Sequence, residues 1–230
     1  MVSSVSMLVG PIFSVSLPRL SALAARDVVE DFAKLYHTAS QLVALAMLPL
    51  AVIIGMYSSE VLLIWTGDSS IADRSGVLVS ILTIGAVLNG SLTVPYAAQL
   101  AYGWTKLALY LNIATFLIFV PLVYWAAGHY GAVGAACVWP IVNLAYMIVF
   151  IEAMHSRLLK GEKRQWLISD FGVPVVVALI VGMLGRSILP VGMQGIQSMV
   201  WLFIILMLSL LAILSVTPEV RRSLKSVLSY

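Results

Sequence analysis

Long stretches without a charged side chain are the feature that most constrains what this chain can fold into. No Asp, Glu, Lys or Arg occurs in residues 35–59, 75–105, 107–151 or 187–218. An α-helix rises about 1.5 Å per residue, so roughly 20 apolar residues cross the hydrocarbon core of a bilayer. Each stretch is therefore long enough for one crossing, and 107–151 is long enough for two. The pattern predicts transmembrane helices.

The composition favours the same fold class, an all-α polytopic membrane helix bundle. Hydrophobic residues make up 61% of the chain and charged residues only 10%, whereas soluble domains carry roughly 25% charged residues. Side chains of this kind could not cover a surface in water. A transmembrane β-barrel would show alternating segments of about 10 residues, and that pattern is absent. The net charge of +3 is not gathered on a soluble domain, so we expect no nucleic-acid partner.

Apolar runs and the residues that break them predict about seven spans. The Pro18-Arg19 pair ends the first run, and the Gly128–Gly131 turn splits the long neutral stretch into a hairpin of two helices. The predicted spans are 1–17, 37–57, 77–101, 107–127, 131–151, 171–190 and 196–217.

The basic residues orient these spans. Eleven of the 13 Lys and Arg residues fall on alternate connections, namely 18–36, 102–106, 152–170 and the tail. Only Arg74 and Arg186 fall on the other side. Lys and Arg are enriched in cytoplasmic loops, so the C-terminus is predicted to be cytoplasmic. An odd number of spans then leaves Met1 outside or within the membrane, and we expect the chain to be the C-terminal part of a longer protein.

Five short motifs follow one another in a recognisable order. They are the mid-span Pro49 and the segments Pro18–Ser21, Ile64–Gly67, Ala101–Lys106 and Tyr130–Ala136. In this order and topology they resemble the C-terminal half of the polysaccharide flippases of the multidrug/oligosaccharidyl-lipid/polysaccharide (MOP) superfamily, in particular the O-antigen translocases. The resemblance covers roughly residues 1–155.

The resemblance implies a fold, a substrate and a cellular place. The family's MATE-like fold sets two six-helix bundles across a central cavity, so this chain would supply one wall in a bacterial inner membrane. The implied substrate is an undecaprenyl-pyrophosphate-linked oligosaccharide, with membrane lipids around it. Polysaccharide polymerase and glycosyltransferase machinery would be further partners.

We expect three parts in the chain. Residues 1–155 would form the C-terminal flippase helix bundle without its N-terminal counterpart, 156–216 two additional transmembrane helices, and 217–230 a cytoplasmic interfacial tail. The tail begins with Thr217-Pro218-Glu219, which is typical of a helix start, with a capping hydroxyl, proline at the first helical position and an acid in the first turn. Residues 61–65 are predicted to form an interfacial turn on the other side.

Polar residues recur at helical spacing within the spans. They are Asn89, Thr93, Tyr96 and Gln99 on the third span, Asn112 on the fourth, and Trp139, Asn143 and Tyr146 on the fifth. Amides offer hydrogen bonds and aromatic rings offer stacking surfaces, which suits a saccharide in a wet cavity. The alternative is that these groups bond across packed helix seams.

Two cations are candidates for attracting the pyrophosphate headgroup at the cytoplasmic mouth. They are Arg19 and Lys106. Both also fit the positive-inside rule, which explains them without any ligand.

Signatures of catalysis are missing from the sequence. The histidines His37, His129 and His155 lie in separate segments without a partnering carboxylate cluster, so we expect no metal site and no cofactor. Asp170 is predicted to cap the helix that contains Pro174 in its first turn.

Two other functions remain open. A cation-coupled multidrug exporter of the same superfamily would need an intramembrane carboxylate, which the predicted spans lack. A truncated or structural remnant would not transport alone.

Overall fold

The computed structural model describes residues 7–188 and 195–228, the last three of these in backbone only. The described residues form helices and connecting turns and contain no strand, which confirms the predicted all-α membrane bundle. The helices are α1 (Gly10–Ala25), α2 (Val29–Met56), α3 (Ser58–Thr66), α4 (Ser69–Ser91), α5 (Thr93–Ala101), α6 (Lys106–Arg157), α7 (Lys163–Gln165), a π-helical segment (Trp166–Gly172), α8 (Val173–Ile188), α9 (Ile196–Val216) and α10 (Pro218–Leu228).

Five helical stretches of the described chain are long and apolar enough to cross a membrane. They are Val29–Met56, Ser69–Ala101, Lys106–Arg157, Lys163–Ile188 and Ile196–Val216. At about 1.5 Å per residue, α6 with its 52 residues is far longer than one crossing needs.

α6 is broken at the predicted turn. Gly131 has φ 63° and ψ −153°, a conformation open to glycine because it lacks a Cβ. The two halves of α6 then pack against each other, with Ala126 of the first half beside Val138 and Val142 of the second. The predicted hairpin of two spans is confirmed.

α2 forms the centre of the bundle. It contacts α1, α4, α5, α8, α9 and α10, and its side chains Phe32, Tyr36 and Met47 are fully buried. The first half of α6 lies at the other extreme, with Phe116 66% and Tyr124 84% exposed. An apolar surface of this extent would be unstable in water, so lipid or protein must cover it.

The connections that carry most of the basic charge meet at one end of the bundle, which we call the basic end. Phe32 and Tyr102 have ring centroids 5.0 Å apart, and the Arg157 guanidinium lies 4.5 Å from the Trp104 ring. These contacts bring the connections 18–36, 102–106 and 152–170 together. The alternation of sides that the basic residues predict is therefore present in the fold; the cytoplasmic orientation of this end stays a prediction.

The opposite end is held by Tyr57, Glu60 and Arg186. The Tyr57 hydroxyl donates a hydrogen bond to the Gly182 carbonyl oxygen at 2.8 Å, and Arg186 pairs with Glu60.

The structure corrects several predicted helix bounds, including the start of α4 at Ser69 rather than at residue 77. α1 continues through Pro18 to Ala25, because a proline inside a helix removes one hydrogen bond and bends the helix without having to end it. Residues 1–6 of the predicted first span lie outside the described residues. α2 begins at Val29 rather than at residue 37, with Glu30 and Asp31 in its first turn, where the helix dipole favours acids.

Asp170 is not a helix cap. It lies inside the π-helical segment and is 1% exposed, because its carboxylate is bonded to side chains of α2 rather than to the backbone of its own helix. The predicted tail helix does begin at Pro218. The connection between the predicted spans 171–190 and 196–217 falls almost wholly outside the described residues.

Candidate substrate cavity

A cavity of about 470 Å³ lies between α1, α4, α5 and both halves of α6. The hairpin at Gly131 places the second half of α6 beside the first, and α4 and α5 close the cavity from the side. Its lining consists of Phe13, Asn89, Leu92, Thr93, Tyr96, Asn112, Thr115, Trp139, Val142, Asn143, Tyr146 and Phe150.

Seven of the eight predicted cavity residues share this lining: Asn89, Thr93, Tyr96, Asn112, Trp139, Asn143 and Tyr146. Gln99 lies elsewhere, fully buried, with its Nε2 donating to the Trp104 carbonyl oxygen. Its place one turn beyond Tyr96 puts it at the start of the turn to α6, where it satisfies a backbone acceptor. That these side chains bind a substrate stays a prediction.

The amides of the lining also join two helices. Asn89 Nδ2 donates to Asn143 Oδ1 at 3.1 Å, and Asn143 Nδ2 donates to the Trp139 carbonyl oxygen at 2.9 Å. Asn143 is 6% exposed and acts as part of the packed seam. Asn89 and Asn112 are exposed. The bond between Asn89 and Asn143 fits the seam interpretation, and a binding role for the exposed members of the set stays a prediction.

Aromatic rings form much of the remaining wall. Phe13 and Tyr96 are stacked with centroids 6.2 Å apart, and Tyr146 and Phe150 are stacked at 5.7 Å. Nothing in the sequence distinguishes Phe13, an apolar residue in an apolar helix. Thr115 could have been found, because it lies three residues after Asn112 and so on the same helix face.

The Trp139 ring sits against a glycine of α4. A Cβ at Gly85 would lie 2.0 Å from Cδ1 of Trp139 and 2.5 Å from its Nε1. Gly85 therefore provides the space in which the indole packs. The ring also meets Phe119 edge-on, at a centroid distance of 5.8 Å.

None of the lining residues carries a charge. The two predicted headgroup cations, Arg19 and Lys106, are exposed. Arg19 follows Phe13 by six residues on α1, and Lys106 precedes Asn112 by six on α6, which is about 9 Å along each helix. Both displacements lead towards the basic end.

The chain is similar in sequence to known proteins over part of its length. Residues 16–125 match the MatE family model, a range that contains the second part of α1, all of α2 to α5 and most of the first half of α6. The chain is also 28% identical over 141 residues to a putative O-antigen transporter of Shigella flexneri, covering 61% of the chain and 32% of that protein. The resemblance to the MOP superfamily is confirmed. This MatE-like chain spans about a third of the length of that relative, and no solved structure matches it significantly.

The MatE match ends between the two sets of lining residues. It includes Asn89, Thr93, Tyr96 and Asn112, while Trp139, Asn143 and Tyr146 lie beyond residue 125. The second set enters the cavity through the hairpin at Gly131. The cavity thus combines residues inside and outside the matched range.

The prediction that the histidines lack partnering carboxylates is wrong for His37. His37 Nδ1 lies 2.5 Å from Asp170 Oδ2, and His37 Nε2 lies 3.1 Å from Glu162 Oε2. These partners lie 133 and 125 residues away in the sequence, so local spacing could not predict them. His129 contacts the Trp125 carbonyl oxygen of its own helix.

Proposed function

We propose that this chain forms one wall of a flippase that moves a lipid-linked oligosaccharide from the cytoplasmic to the periplasmic leaflet. The observation that carries the proposal is the cavity, in which amides and aromatic rings meet between membrane helices. Hydroxyl-rich sugars cannot cross hydrocarbon alone because their polar groups would lose their hydrogen bonds. A polar cavity would shelter the sugars while the lipid tail stays in the bilayer, and alternating access would move them across.

The chemistry of the lining supports a saccharide. Asn89 and Asn112 are exposed amides that offer both donors and acceptors. Tyr96 and Trp139 present rings beside them. The absence of charge from the lining fits a substrate portion that is polar and neutral.

The headgroup would be met separately. In the proposed orientation the basic end faces the cytoplasm of a bacterium with an inner membrane, which is where the lipid-linked precursor would enter. Arg19 and Lys106 would then attract a pyrophosphate about 9 Å from the sugar-binding residues of their own helices. The polysaccharide polymerase and glycosyltransferases would act on either side of this step.

A multidrug exporter is the second candidate, and one observation bears on it. Asp170 supplies a buried carboxylate within the Lys163–Ile188 stretch, where the sequence predicted none. It does not line the substrate cavity, and it is bonded to His37 and Gln41. The saccharide function is therefore the better supported of the two.

Asn112 separates a binding role from a packing role. It lines the cavity and is exposed, so Asn112→Ala should lower export of surface polysaccharide while the unfolding free energy stays within about 0.5 kcal/mol of wild type. The matched control is Gln197→Ala, an exposed amide on α9.

The assay is complementation of a strain that lacks the gene. That strain should accumulate lipid-linked oligosaccharide on the cytoplasmic leaflet, and wild type and Gln197→Ala should restore surface polysaccharide where Asn112→Ala does not. Normal surface polysaccharide in the deletion strain would overturn the proposal, and efflux of drugs driven by an ion gradient would favour the exporter.

A further inference from the structure

A second polar site lies at the basic end, away from the substrate cavity, and centres on His37. The residue is 3% exposed, and each of its two ring nitrogens faces a carboxylate: Nδ1 faces Asp170 and Nε2 faces Glu162. Asp170 is itself 1% exposed. Its place in a π-helical segment is a second sign of a functional position, because such segments are frequently found at functional sites.

The hydrogen-bond inventory fixes the number of protons that this site needs. A neutral imidazole has one N–H donor and one acceptor nitrogen, and an ionised carboxylate can only accept. A neutral ring could therefore bond one of the two carboxylates but not both. Both contacts are satisfied when the three groups share one additional proton, either as an imidazolium or as one protonated carboxyl. The geometry is that of a one-proton site.

Asp170 connects this site, through Gln41, to the tail helix α10. Its second oxygen, Oδ1, accepts a hydrogen bond from Gln41 Nε2 at 2.9 Å. The Gln41 Oε1 in turn accepts from the backbone N–H of Glu219 at 3.0 Å, in the first turn of α10. Gln41 is fully buried. One carboxylate thus ties the π-helical segment to α2 and, through Gln41, to α10.

The other ionisable groups around the site are already engaged. On α6, His155 has Nδ1 beside the Ile151 carbonyl oxygen at 3.0 Å, so that nitrogen donates and Nε2 accepts from the Tyr36 hydroxyl at 3.2 Å. Lys163 pairs with Glu152. Three more ion pairs engage the remaining groups: Glu219 with Arg222, Lys34 with Glu30, and Lys34 with Asp31.

We propose that His37, Asp170 and Glu162 form a proton-operated latch that holds the connection between α6 and α8 against α2. With the shared proton bound, each ring nitrogen of His37 is hydrogen-bonded to a carboxyl group and the latch is closed. When the proton leaves, one nitrogen lone pair faces a carboxylate oxygen and that contact becomes repulsive. Glu162 separates first, because its side chain is 34% exposed whereas that of Asp170 is 0% exposed. This inference does not depend on the proposed substrate.

Exposure of Leu159 would indicate that the latch has opened. It is 3% exposed and its carbonyl oxygen accepts from the Glu162 N–H at 3.2 Å, so it should become accessible when Glu162 leaves. We would place a cysteine there (Leu159→Cys) in a Cys137→Ser background of the full chain in nanodiscs and measure its rate of modification by a polar maleimide. Division by the rate for Lys160→Cys, at an exposed neighbouring position, removes the intrinsic pH dependence of thiol reactivity.

The rate ratio should rise with pH between about 5 and 8, the range in which histidine sites titrate. The slope should not exceed tenfold per pH unit, which is the limit for one proton. Glu162→Gln should hold the ratio low at all pH values, because its amide N–H can donate to the neutral imidazole where the carboxylate cannot. His129→Gln, at an exposed histidine of α6, should titrate like wild type.

Three results would each overturn the latch: a ratio that does not change with pH in the wild type, a Glu162→Gln variant that titrates as the wild type does, or a loss of the titration in His129→Gln. Glu162 is half-buried at the edge of the bundle, so its variant should fold. Its low ratio at high pH would in addition exclude general loosening of the structure.

Discussion

Replacing Gly85 by alanine tests whether the Trp139 indole is positioned by the space that this glycine leaves on the surface of α4. The new Cβ would lie 2.0 Å from Trp139 Cδ1, and ordinary carbon–carbon contact is about 3.5 Å. The ring must therefore retreat by roughly 1.5 Å. Phe119 stands on one side of it, so the open direction is the substrate cavity. We expect Gly85→Ala to lower transport, because the displaced ring occupies space that the substrate would use.

The energetic effect has two parts of opposite sign. Overpacking of this kind costs about 1–3 kcal/mol. Replacing a mid-helix glycine by alanine returns about 0.5–1 kcal/mol. The net expectation is a destabilisation of about 1 kcal/mol. Gly128→Ala is the matched control, since a Cβ at Gly128 meets nothing within 4 Å, and it should be neutral or stabilising.

A double-mutant cycle isolates the clash. In a Trp139→Ala background the ring is gone, so Gly85→Ala should stabilise the protein by about 0.5–1 kcal/mol. The coupling between the two positions should then equal the overpacking term, about 1–3 kcal/mol. The measurement is reversible unfolding in mixed detergent micelles. Effects that add to within about 0.5 kcal/mol would refute the reasoning.

Two further predictions concern the backbone of the connections. Gly131→Ala should destabilise the α6 hairpin by about 1–3 kcal/mol in the same unfolding assay, because φ is 63° at that position and alanine would be strained there; an effect no larger than that of Gly128→Ala would contradict this. Asp68 caps α4 by accepting from the Ser70 N–H at 2.8 Å, and that bond lowers the pKa of the Asp68 carboxyl. Its charge-dependent stabilisation should therefore be complete above the unfolded pKa and fade as the pH falls through the lower folded pKa, and Asp68→Asn, which keeps the acceptor oxygen, should remove this acid sensitivity in thermal unfolding scans.

The sequence was most informative where the membrane itself sets the rule. Lipid tolerates no unpaired polar group, so neutral stretches had to be helices and the few amides within them had to face a partner or a cavity. That is why Asn89, Asn112 and Asn143 could be selected without a structure. Whether each binds or packs depended on the neighbouring helix and could not be read from spacing.

The sequence misled where a local signal competed with a distant partner. Asp170 precedes Pro174 by four residues and looks like a helix start, yet its partners are His37 and Gln41, 133 and 129 residues away. Pro18 looks like a terminator in an aqueous context but lies inside α1. Both errors arise because propensity rules describe an isolated helix, whereas contacts with neighbouring helices override those rules here.

The hairpin of α6 has a consequence for how the protein is made. Its tip, residues 128–131, must pass through the hydrocarbon when the two halves enter the bilayer, and it holds Gly, His, Tyr and Gly with no Lys, Arg, Asp or Glu. The polar nitrogen Nδ1 of His129 is already bonded to the Trp125 carbonyl oxygen. A charged loop costs about 2.5–3.5 kcal/mol per charged residue at the bilayer centre. Translocation of this uncharged tip therefore costs far less. The two halves can therefore insert as one unit during synthesis, after α4 and α5, which precede them in the chain.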